Sequence, residues 1–324
     1  MKAKKILLAA TLLVSATQMS AQEEVLMKFG NFEQWITRNV EESGILGGQT
    51  KKLYEVGPTA TWNENKAYTN QGGSIWATSN VLAKVAGITK TNTSVYPAQH
   101  GSGKCVKLLT HEEGMKVLGI VDIHVLAAGS LYTGTMVEPI TSSSNPFSKL
   151  NLGIRINEKN LGPNYTKPIK GLVFDYKVSL SSQPRIKETG FSKKTTLGGK
   201  DYPQATIVLQ KRWEDEKGNI HAKRVGTAIH RFTSNSDWAT MRLNLMYGNC
   251  TKAPGFQSYM GLFTGEQVIY ATNSKGKQVK VVEEWGTADD KPTHLIVKFD
   301  SSCGGAYMGS PDNTLYIDNV KLVY

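Results

Sequence analysis

The side chains of this sequence best suited to chemistry are three tryptophans set among polar residues. They are Trp62 in TATWNENK, Trp213 in QKRWEDE and Trp285 in VEEWGTADD. The apolar face of a pyranose ring stacks on an exposed aromatic ring, while neighbouring polar groups bond the sugar hydroxyls. A lone exposed tryptophan is also an ordinary surface feature. We predict that Trp62, Trp213 or Trp285 supplies a carbohydrate-binding platform.

A second candidate is Asp318, which together with Asn319 interrupts the apolar stretch NTLYIDNVKLVY. A strand buried on one face alternates with a period of two residues, and an unpaired buried carboxylate is costly. One interpretation is a β-bulge or an exposed edge that carries a solvated acid. The other is an aspartate that turns inward onto a metal ion. The pattern alone leaves both open.

Glycoside hydrolysis is less well supported by the residue pattern. It requires two carboxylates about 5 to 10 Å apart across a cleft, one of them with a raised pKa. Almost all acidic residues here stand in predicted turns or on predicted solvent faces, so no catalytic residue is predicted. The sequence also lacks the histidine spacing of a zinc site, a Gly-x-Ser-x-Gly elbow and a phosphate-binding loop.

The cysteines Cys105, Cys250 and Cys303 are odd in number and have no metal-type spacing. They allow at most one disulfide bond, which leaves one thiol free. Three reduced, buried side chains are an equally good interpretation.

The beginning of the sequence predicts export. Three lysines precede the apolar stretch Ile6–Val14, and small or polar residues follow. This is the pattern of a signal peptide over residues 1–21, with cleavage after Ala21 or, alternatively, after Ala16. The mature domain then comprises residues 22–324, and we expect it in the periplasm or outside the cell.

The formal net charge of the full sequence is +11. Its positive residues are scattered and form no stripe, so nucleic acid is not a predicted partner. Solubility or attraction to acidic glycans explains the charge better. The apolar stretch near the start is too short to span a bilayer, and no later stretch approaches the required ~20 residues.

Hydrophobic alternation predicts an all-β fold. It is clearest in residues 170–180 and 239–247, where every second residue is apolar. The polar Asp215–Gly218 predicts the turn of a β-hairpin, whereas Val81–Ile88 shows weak helical spacing. Strands of this length with glycine-rich connections indicate one large antiparallel β-sandwich of the jelly-roll type.

Five segments together carry a family resemblance. They are FEQW (32–35), IWATSN (75–80), AAGSLYTG (127–134), KGLVFDYKV (170–178) and the ending LIVKFDSSCGGAYMGSPDNTLYIDNVKLVY (295–324). In this order they resemble the Bacteroidetes "putative carbohydrate metabolism domain" family of exported proteins, over nearly all of the mature chain. The resemblance implies a jelly-roll sandwich similar to carbohydrate-binding modules, and a role in glycan capture or breakdown. It carries over no catalytic residue, because the family has no agreed ones.

A looser resemblance concerns the two ends of the chain. Jelly-roll carbohydrate-binding modules often open on an N-x-F-E type segment, close on an I-D-N-V type strand and hold a structural calcium ion between them. Here Asn31, Phe32 and Glu33 match the opening, and Asp318 matches the closing strand. Calcium takes six to eight oxygen ligands. The resemblance therefore implies a structural calcium site to which Glu33 and Asp318 contribute.

These observations predict an exported protein that binds carbohydrate and catalyses no reaction. The first alternative is a glycoside hydrolase or another glycan-active enzyme, whose catalytic acids the sequence does not reveal. The second is a structural or adhesive protein of the cell envelope.

Overall fold

The computed structural model describes residues 22–70, 72–85, 87–117, 121–141, 146–190 and 194–324. The predicted signal peptide lies outside these residues. Strands dominate the fold and most of their pairings are antiparallel, so the predicted all-β antiparallel class is confirmed. The described part of the chain contains no helix that is long and apolar enough to cross a membrane.

Strands follow one another through the described part of the chain, mostly joined by turns. The strands up to residue 141 are β1 (Glu24–Leu26), β2 (Trp35–Glu41), β3 (Thr50–Val56), β4 (Ala60–Trp62), β5 (Trp76–Thr78), β6 (Val81–Val85), β7 (Ile88–Asn92), β8 (Val95–His100), β9 (Gly103–Leu109), β10 (His111–Val117), β11 (Val121–Ala127) and β12 (Ser130–Met136). The later strands are β13 (Leu150–Leu152), β14 (Ile154–Arg155), β15 (Gly171–Ser179), β16 (Ile186–Lys187), β17 (Thr189–Gly190), β18 (Thr195–Thr196), β19 (Gln204–Glu214), β20 (Ile220–Arg231), β21 (Ser236–Asn244), β22 (Met246–Tyr247), β23 (Tyr270–Thr272), β24 (Gln278–Trp285), β25 (His294–Asp300), β26 (Met308–Gly309) and β27 (Thr314–Val323). The helical segments are α1 (Glu158–Leu161) and 3-10 turns at Gly44–Leu46, Pro146–Lys149, Gly162–Thr166, Ser258–Met260 and Gly265–Gln267. A longer connection lies between β22 and β23.

The first main layer is a six-stranded sheet with the order β21-β15-β27-β9-β8, to which β1 adds on β27. Strand β27 lies at its centre. On one side it pairs with β15 along its length, and on the other with β9 over Thr314–Ile317 and with β1 over residues 321–323. Smaller sheets join β3-β2-β4, β10-β11-β17, β18-β16-β26 and β6-β7.

Strand β27 contains a β-bulge at the polar pair that interrupts its sequence pattern. The register runs from Val173 opposite Lys321 to Asp175 opposite Asp318, so β27 uses one residue more than β15 over the same length. Asn319 takes the positive φ of 50° that such an insertion requires. The predicted β-bulge is present, but Asp318 is 5% exposed on a central strand, so the exposed edge with a solvated acid is wrong. The metal-ion interpretation stays a prediction.

The second main layer is a ten-stranded sheet that closes on itself. Strand β12 pairs with both β13 and β25, and the path between them runs through β23, β24, β20 and β19. These seven strands form a closed ring of paired strands, which we call the ring. Closure leaves its members without the free edges on which sheets associate.

Two hydrophobic clusters follow from these layers. The ring core receives side chains from every ring strand, namely Tyr132, Leu152, Val208, Ala222, Ile296, Ala271 and Val281. The sandwich core lies between the outer face of the ring and the six-stranded sheet. Along β19, Val208 belongs to the ring core, whereas Ile207 and Leu209 belong to the sandwich core, as strand alternation requires.

Several local predictions are confirmed. Leu172, Phe174 and Val178 of β15 are buried in the sandwich core, and Trp35 and Trp76 are 4% and 0% exposed. The Asp215–Gly218 segment closes the hairpin of β19 and β20. All three cysteines are free, as the reduced-thiol interpretation has it. The jelly-roll connectivity and the extent of the domain stay predictions.

The helical interpretation of Val81–Ile88 is wrong. These residues begin the β6–β7 hairpin, in which Val85 pairs with Ile88. Leu82 is fully buried with Val40 and Leu53. This packing outweighs the weak helical spacing, because so short a helix is marginal by itself.

Candidate functional site

A cleft of about 220 Å³ opens at one end of the ring. Strands β13, β19, β20, β23 and β25 contribute to its walls, and β14 adds to the wall beside β25. Its polar and aromatic lining comprises Asn151, Arg155, Arg212, Trp213, Glu214, Thr272 and His294. Since these residues come from separate strands, the closure of the ring is what brings them together.

Trp213 is the tryptophan at the rim of the cleft. Its side chain is 43% exposed, and it lies directly opposite His221 of β20. The two rings stack with centroids 5.4 Å apart and planes within 16° of each other. His221 is held in turn by Asp215, whose Oδ2 lies 3.1 Å from Nε2. The indole therefore has one face supported by the protein while a large part of it remains accessible.

A buried polar chain leads from Arg212 into the ring. Nε of Arg212 donates to Oε1 of Gln210 at 2.6 Å, and Nε2 of Gln210 donates to Oε1 of Glu283. Arg224 donates to both carboxylate oxygens of Glu283, each at 2.6 Å, and neither of these two side chains is exposed. The backbone N–H of Phe263 also donates to Glu283, at 2.7 Å.

Arg212 itself is incompletely satisfied. Its Nη2 is buried and has no hydrogen-bond partner among the described residues. The guanidinium lies against Gly153, where a Cβ atom would come within 2.9 Å of Nη2. Gly153 also has a φ of 96°, so glycine serves both the backbone conformation and the space for the arginine.

The electrostatics of the cleft are dominated by its arginines. Burial lowers the pKa of Arg212 to about 10, which still leaves it charged at neutral pH. Burial, followed by the charges of Arg212 and Arg155, lowers the pKa of His294 to about 3. His294 is therefore neutral near pH 7, and its Nδ1 shares a hydrogen bond of 2.9 Å with Oγ1 of Thr293.

Glu214 is the one acidic side chain among the described residues that line the cleft. Its carboxylate accepts hydrogen bonds from the hydroxyl of Ser274 at 2.7 Å and from the Ser274 backbone at 2.8 Å. The hydroxyl bond, with the backbone bond second, lowers the pKa of Glu214. The carboxylate of Glu214 is therefore ionised, and its two hydrogen bonds hold Ser274 in place.

The structure brings one of the three predicted tryptophans to the cleft. Trp62 belongs to another sheet, is half-buried and packs on Tyr68 with ring centroids 5.8 Å apart. Trp285 is half-buried on β24, and the guanidinium of Arg224 lies 5.9 Å from its ring. Their part in sugar binding stays a prediction.

The predicted calcium ligands have other partners in this structure. Exposed Glu33 accepts the backbone N–H of Lys104 at 3.0 Å. Buried Asp318 lies 2.6 Å from Nδ1 of His100 and accepts the N–H of Asn319 at 2.7 Å. Among the residues that the structure describes, no group of three or more His, Cys, Asp or Glu side chains is placed to hold a metal ion. The calcium site stays a prediction.

A larger cavity of about 600 Å³ lies elsewhere in the molecule. Its described walls are largely apolar, with residues such as Val81, Ile88, Met136 and Leu152. A sugar presents many hydroxyl groups that need polar partners, so the smaller, polar cleft is the better candidate site.

Sequence reasoning missed the polar half of the cleft, namely Arg155, Arg212, His294 and Asn151. One signal was present, because the Lys211-Arg212 doublet directly precedes Trp213. Because positively charged residues are scattered over the sequence, this doublet did not stand out as part of a site. The other three residues are remote in sequence and have no local signature.

Among curated proteins, none matches this sequence. Two crystal structures are similar in part, each described as that of a "putative glycoside hydrolase". The one from Bacteroides thetaiotaomicron is 17% identical, with 86% of this chain and 76% of that chain covered and a TM-score of 0.43. The one from Bacteroides vulgatus is 15% identical, with 90% and 96% covered and a TM-score of 0.41. Similarity at this level carries no argument about activity.

The sequence also matches a family model, and here the match is extensive. The family is described as "Putative carbohydrate metabolism domain", and its model covers residues 32–253, which is more than half of the chain. The chain therefore belongs to the family of the "putative carbohydrate metabolism domain".

Proposed function

We propose that the protein binds carbohydrate in the Trp213 cleft and catalyses no reaction there. One observation carries the proposal: an exposed indole, backed by His221, stands at the rim of a polar cleft. Stacking on an aromatic ring together with directed hydrogen bonds meets the two needs of a pyranose. The volume of about 220 Å³ is below the ~300–1,000 Å³ that is usual for pockets of drug-sized ligands.

The polar residues of the cleft are positioned to bond hydroxyl groups. Asn151 is fixed by a hydrogen bond from its Nδ2 to Thr135 at 3.0 Å and by one from the Thr272 backbone to its Oδ1 at 3.0 Å. Neutral His294 adds a ring nitrogen without adding charge. Groups held in advance lose little conformational entropy on binding, which favours affinity.

The alternative of glycan hydrolysis is less well supported at this cleft. Hydrolysis by the usual mechanism uses one carboxylic acid with a raised pKa and a second carboxylate. Glu214 has a lowered pKa, and its carboxylate is already bonded to Ser274. We therefore expect no release of reducing ends from a glycan that binds here.

The proposal includes action outside the cytoplasm, in the periplasm or beyond, after removal of residues 1–21. The basis is the signal-peptide pattern of the sequence. Mass spectrometry of the protein from envelope or culture fractions should find a mature N-terminus at Gln22 or Thr17. An intact Met1 recovered from the cytoplasm contradicts this part of the proposal.

The test is a glycan array probed with residues 22–324, followed by calorimetry on the ligands found. Trp213→Ala should weaken binding by an amount on the order of 1 to 3 kcal/mol, the usual loss for a stacking aromatic. Trp62→Ala and Trp285→Ala are the matched controls and should bind as the wild type does. If Trp213→Ala binds normally, the cleft is not the site. Reducing-end release would support the hydrolase alternative, and failure to bind any glycan would support the envelope-protein alternative.

A further inference from the structure

In the polar chain inside the ring, Arg212 has no carboxylate of the described residues bonded directly to it, and the charge of Glu283 acts on it only from a distance. Glu283 accepts two hydrogen bonds from Arg224, one from Gln210 and one from the backbone of Phe263. Its charge is thus matched by Arg224, to which it is joined at 2.6 Å. Gln210, the partner of Arg212, is uncharged. No ion pair within 4.0 Å joins Arg212 to a carboxylate of the described residues.

A second arginine faces the same space. Arg155 lies opposite His294 in the pairing of β14 with β25, and both line the cleft with Arg212. His294 responds to both arginines, since each of their charges contributes to its lowered pKa. The acidic residue at the rim, Glu214, is held by Ser274. With two arginines and one ionised carboxylate, the described lining of the cleft has a net positive charge.

Such an arrangement is costly in the unliganded protein. A buried charge needs a partner, and a buried donor with no acceptor loses the full free energy of its hydration. Arg212 has both deficits, because its Nη2 is buried without a partner among the described residues. A ligand that supplies an acidic oxygen would remove both.

We propose that the glycan bound in the Trp213 cleft is acidic and places a carboxylate or sulfate group against Arg212 and Arg155. This inference rests on the proposed function and specifies its ligand class. The planar guanidinium matches the geometry of a two-oxygen acidic group, and such charge-assisted hydrogen bonds are about twice as strong as neutral ones. The ring of Trp213 receives the apolar face of a sugar unit, and the arginines select the acidic substituent.

The ligand test uses matched pairs that differ only in charge. One pair is a tetragalacturonate and its methyl ester, and the other is a sulfated dextran oligosaccharide and the unsulfated parent. We expect at least one acidic member to bind about 10- to 100-fold more tightly than its neutral partner, the usual range for a hydrogen bond to a charged group. Preference in the first pair identifies a carboxylate ligand, and preference in the second a sulfate ligand.

The protein test removes each arginine in turn. Arg155→Gln and Arg212→Gln should each lower affinity for the acidic ligand by about 10-fold or more, and should lower affinity for a neutral glycan by much less. Both should also reduce the dependence of affinity on salt concentration. Lys217→Gln is the matched control, because it removes one exposed positive charge from the nearby turn outside the cleft. Arg155 is exposed, so its variant tests the proposal even if Arg212→Gln does not fold.

The outcomes separate this inference from the function on which it rests. Equal affinity for acidic and neutral members, with binding still lost in Trp213→Ala, overturns the acidic ligand and leaves carbohydrate binding intact. A loss of affinity in Lys217→Gln as large as in Arg155→Gln also overturns it, since the effect is then general attraction. No binding of either pair overturns it as well, and absence of any Trp213-dependent glycan on the array overturns both proposals.

Discussion

The charge state of His294 reports on the electrostatics of the cleft. Burial lowers its pKa to about 3, and the charges of Arg212 and Arg155 act in the same direction. A histidine of the unfolded chain titrates near 6.5. Unfolding therefore takes up a proton between those two pH values, and this group makes the fold less stable as pH falls through that window.

We expect Arg212→Gln to raise the pKa of His294, and Arg155→Gln to raise it by less. The physical reason is the loss of a nearby positive charge, which makes protonation of the imidazole easier. Titration of the imidazole signals by NMR measures this directly. Lys217→Gln should leave the pKa unchanged. A pKa near 6.5 in the wild type would show that His294 is neither buried nor next to the arginines.

Asp318 gives a second prediction at the residue scale, because two different partners, His100 and a calcium ion, could account for its burial. The structure pairs it with His100, whose ring stacks on Trp238 with centroids 3.7 Å apart. The sequence resemblance instead implies calcium shared with Glu33. A structural ion stabilises the fold by mass action, by about 2.7 kcal/mol at a hundredfold excess over its dissociation constant.

If calcium is bound, the melting temperature falls with a chelator and recovers with added calcium, and Asp318→Ala abolishes that response. His100→Ala leaves the calcium response in place and serves as the control. Melting that ignores the chelator, together with elemental analysis that finds no metal, leaves His100 as the partner of Asp318.

At the scale of elements, a buried charged cluster ties β2 and β3 to the segment that follows β12. Arg38 donates to Glu55 at 2.9 Å and to Glu138 at 2.6 Å, and the three side chains are at most 3% exposed. Glu138 also accepts the backbone N–H groups of Tyr68 and Leu82. Burial raises the pKa of Glu55 to about 8, against the lowering effect of Arg38. One arginine thus serves two carboxyl groups, one of which prefers to be protonated.

This cluster predicts a fall in stability towards alkaline pH. In the unfolded chain Glu55 titrates near 4.5, so between about pH 4.5 and 8 the folded protein holds a proton that unfolding releases. The contribution of Glu55 to the free energy of unfolding is fully present below about pH 4.5 and declines as the pH rises from 4.5 to 8. Each pKa unit corresponds to about 1.4 kcal/mol, so the decline is on the order of a few kcal/mol.

Urea unfolding at pH 5 and pH 8 measures the effect. Glu55→Gln, which keeps the shape and cannot ionise, should lose less stability between the two pH values than the wild type does. Glu216→Gln, a change at an exposed acid of the β19–β20 turn, should behave as the wild type. Equal pH dependence in Glu55→Gln and the wild type would contradict the raised pKa.

The elements also show how far the sequence could be interpreted. The faces of β15 follow from period-two alternation, which is local information, and Leu172 and Phe174 were placed correctly. The β6–β7 hairpin was missed, since Leu82 is buried by distant residues such as Leu53 and not by its own neighbours. For the same reason the sequence could indicate Trp213, whose exposure follows from its polar surroundings, but not that Nη2 of the half-buried Arg212 lacks contact with solvent.

At the scale of the molecule, one sheet provides support and the other provides the cleft. The ring closes only because β12 pairs with both β13 and β25, and its pairing with β25 joins residues more than 150 positions apart in the chain. Pairings of such sequence separation leave no local pattern, so no sequence argument located the cleft. The outer face of the ring and the six-stranded sheet share the sandwich core, where the rings of Phe174 and Phe299 lie 5.0 Å apart.

The last prediction separates stability from binding by using β27, the centre of the supporting sheet. Ile317 is fully buried in the sandwich core, in the half of the strand that β15 and β9 flank. Ile317→Ala should lower the free energy of unfolding by about 2 to 5 kcal/mol, through lost burial and the cavity left behind. Lys321→Ala on the same strand removes only a surface contact with Glu24 at 3.5 Å and should cost less than about 1 kcal/mol.

Glycan affinity below the melting transition should be unchanged in Ile317→Ala, because the cleft is built from ring strands and β14 and does not include β27. Denaturant unfolding and calorimetric titration on the same samples measure the two quantities. Trp213→Ala should show the reverse pattern, with weaker binding and a smaller loss of stability, since Trp213 is already 43% exposed in the folded protein. If Ile317→Ala weakens binding in proportion to its loss of stability, the cleft and the six-stranded sheet unfold together. The ring then does not hold the shape of the cleft independently of that sheet.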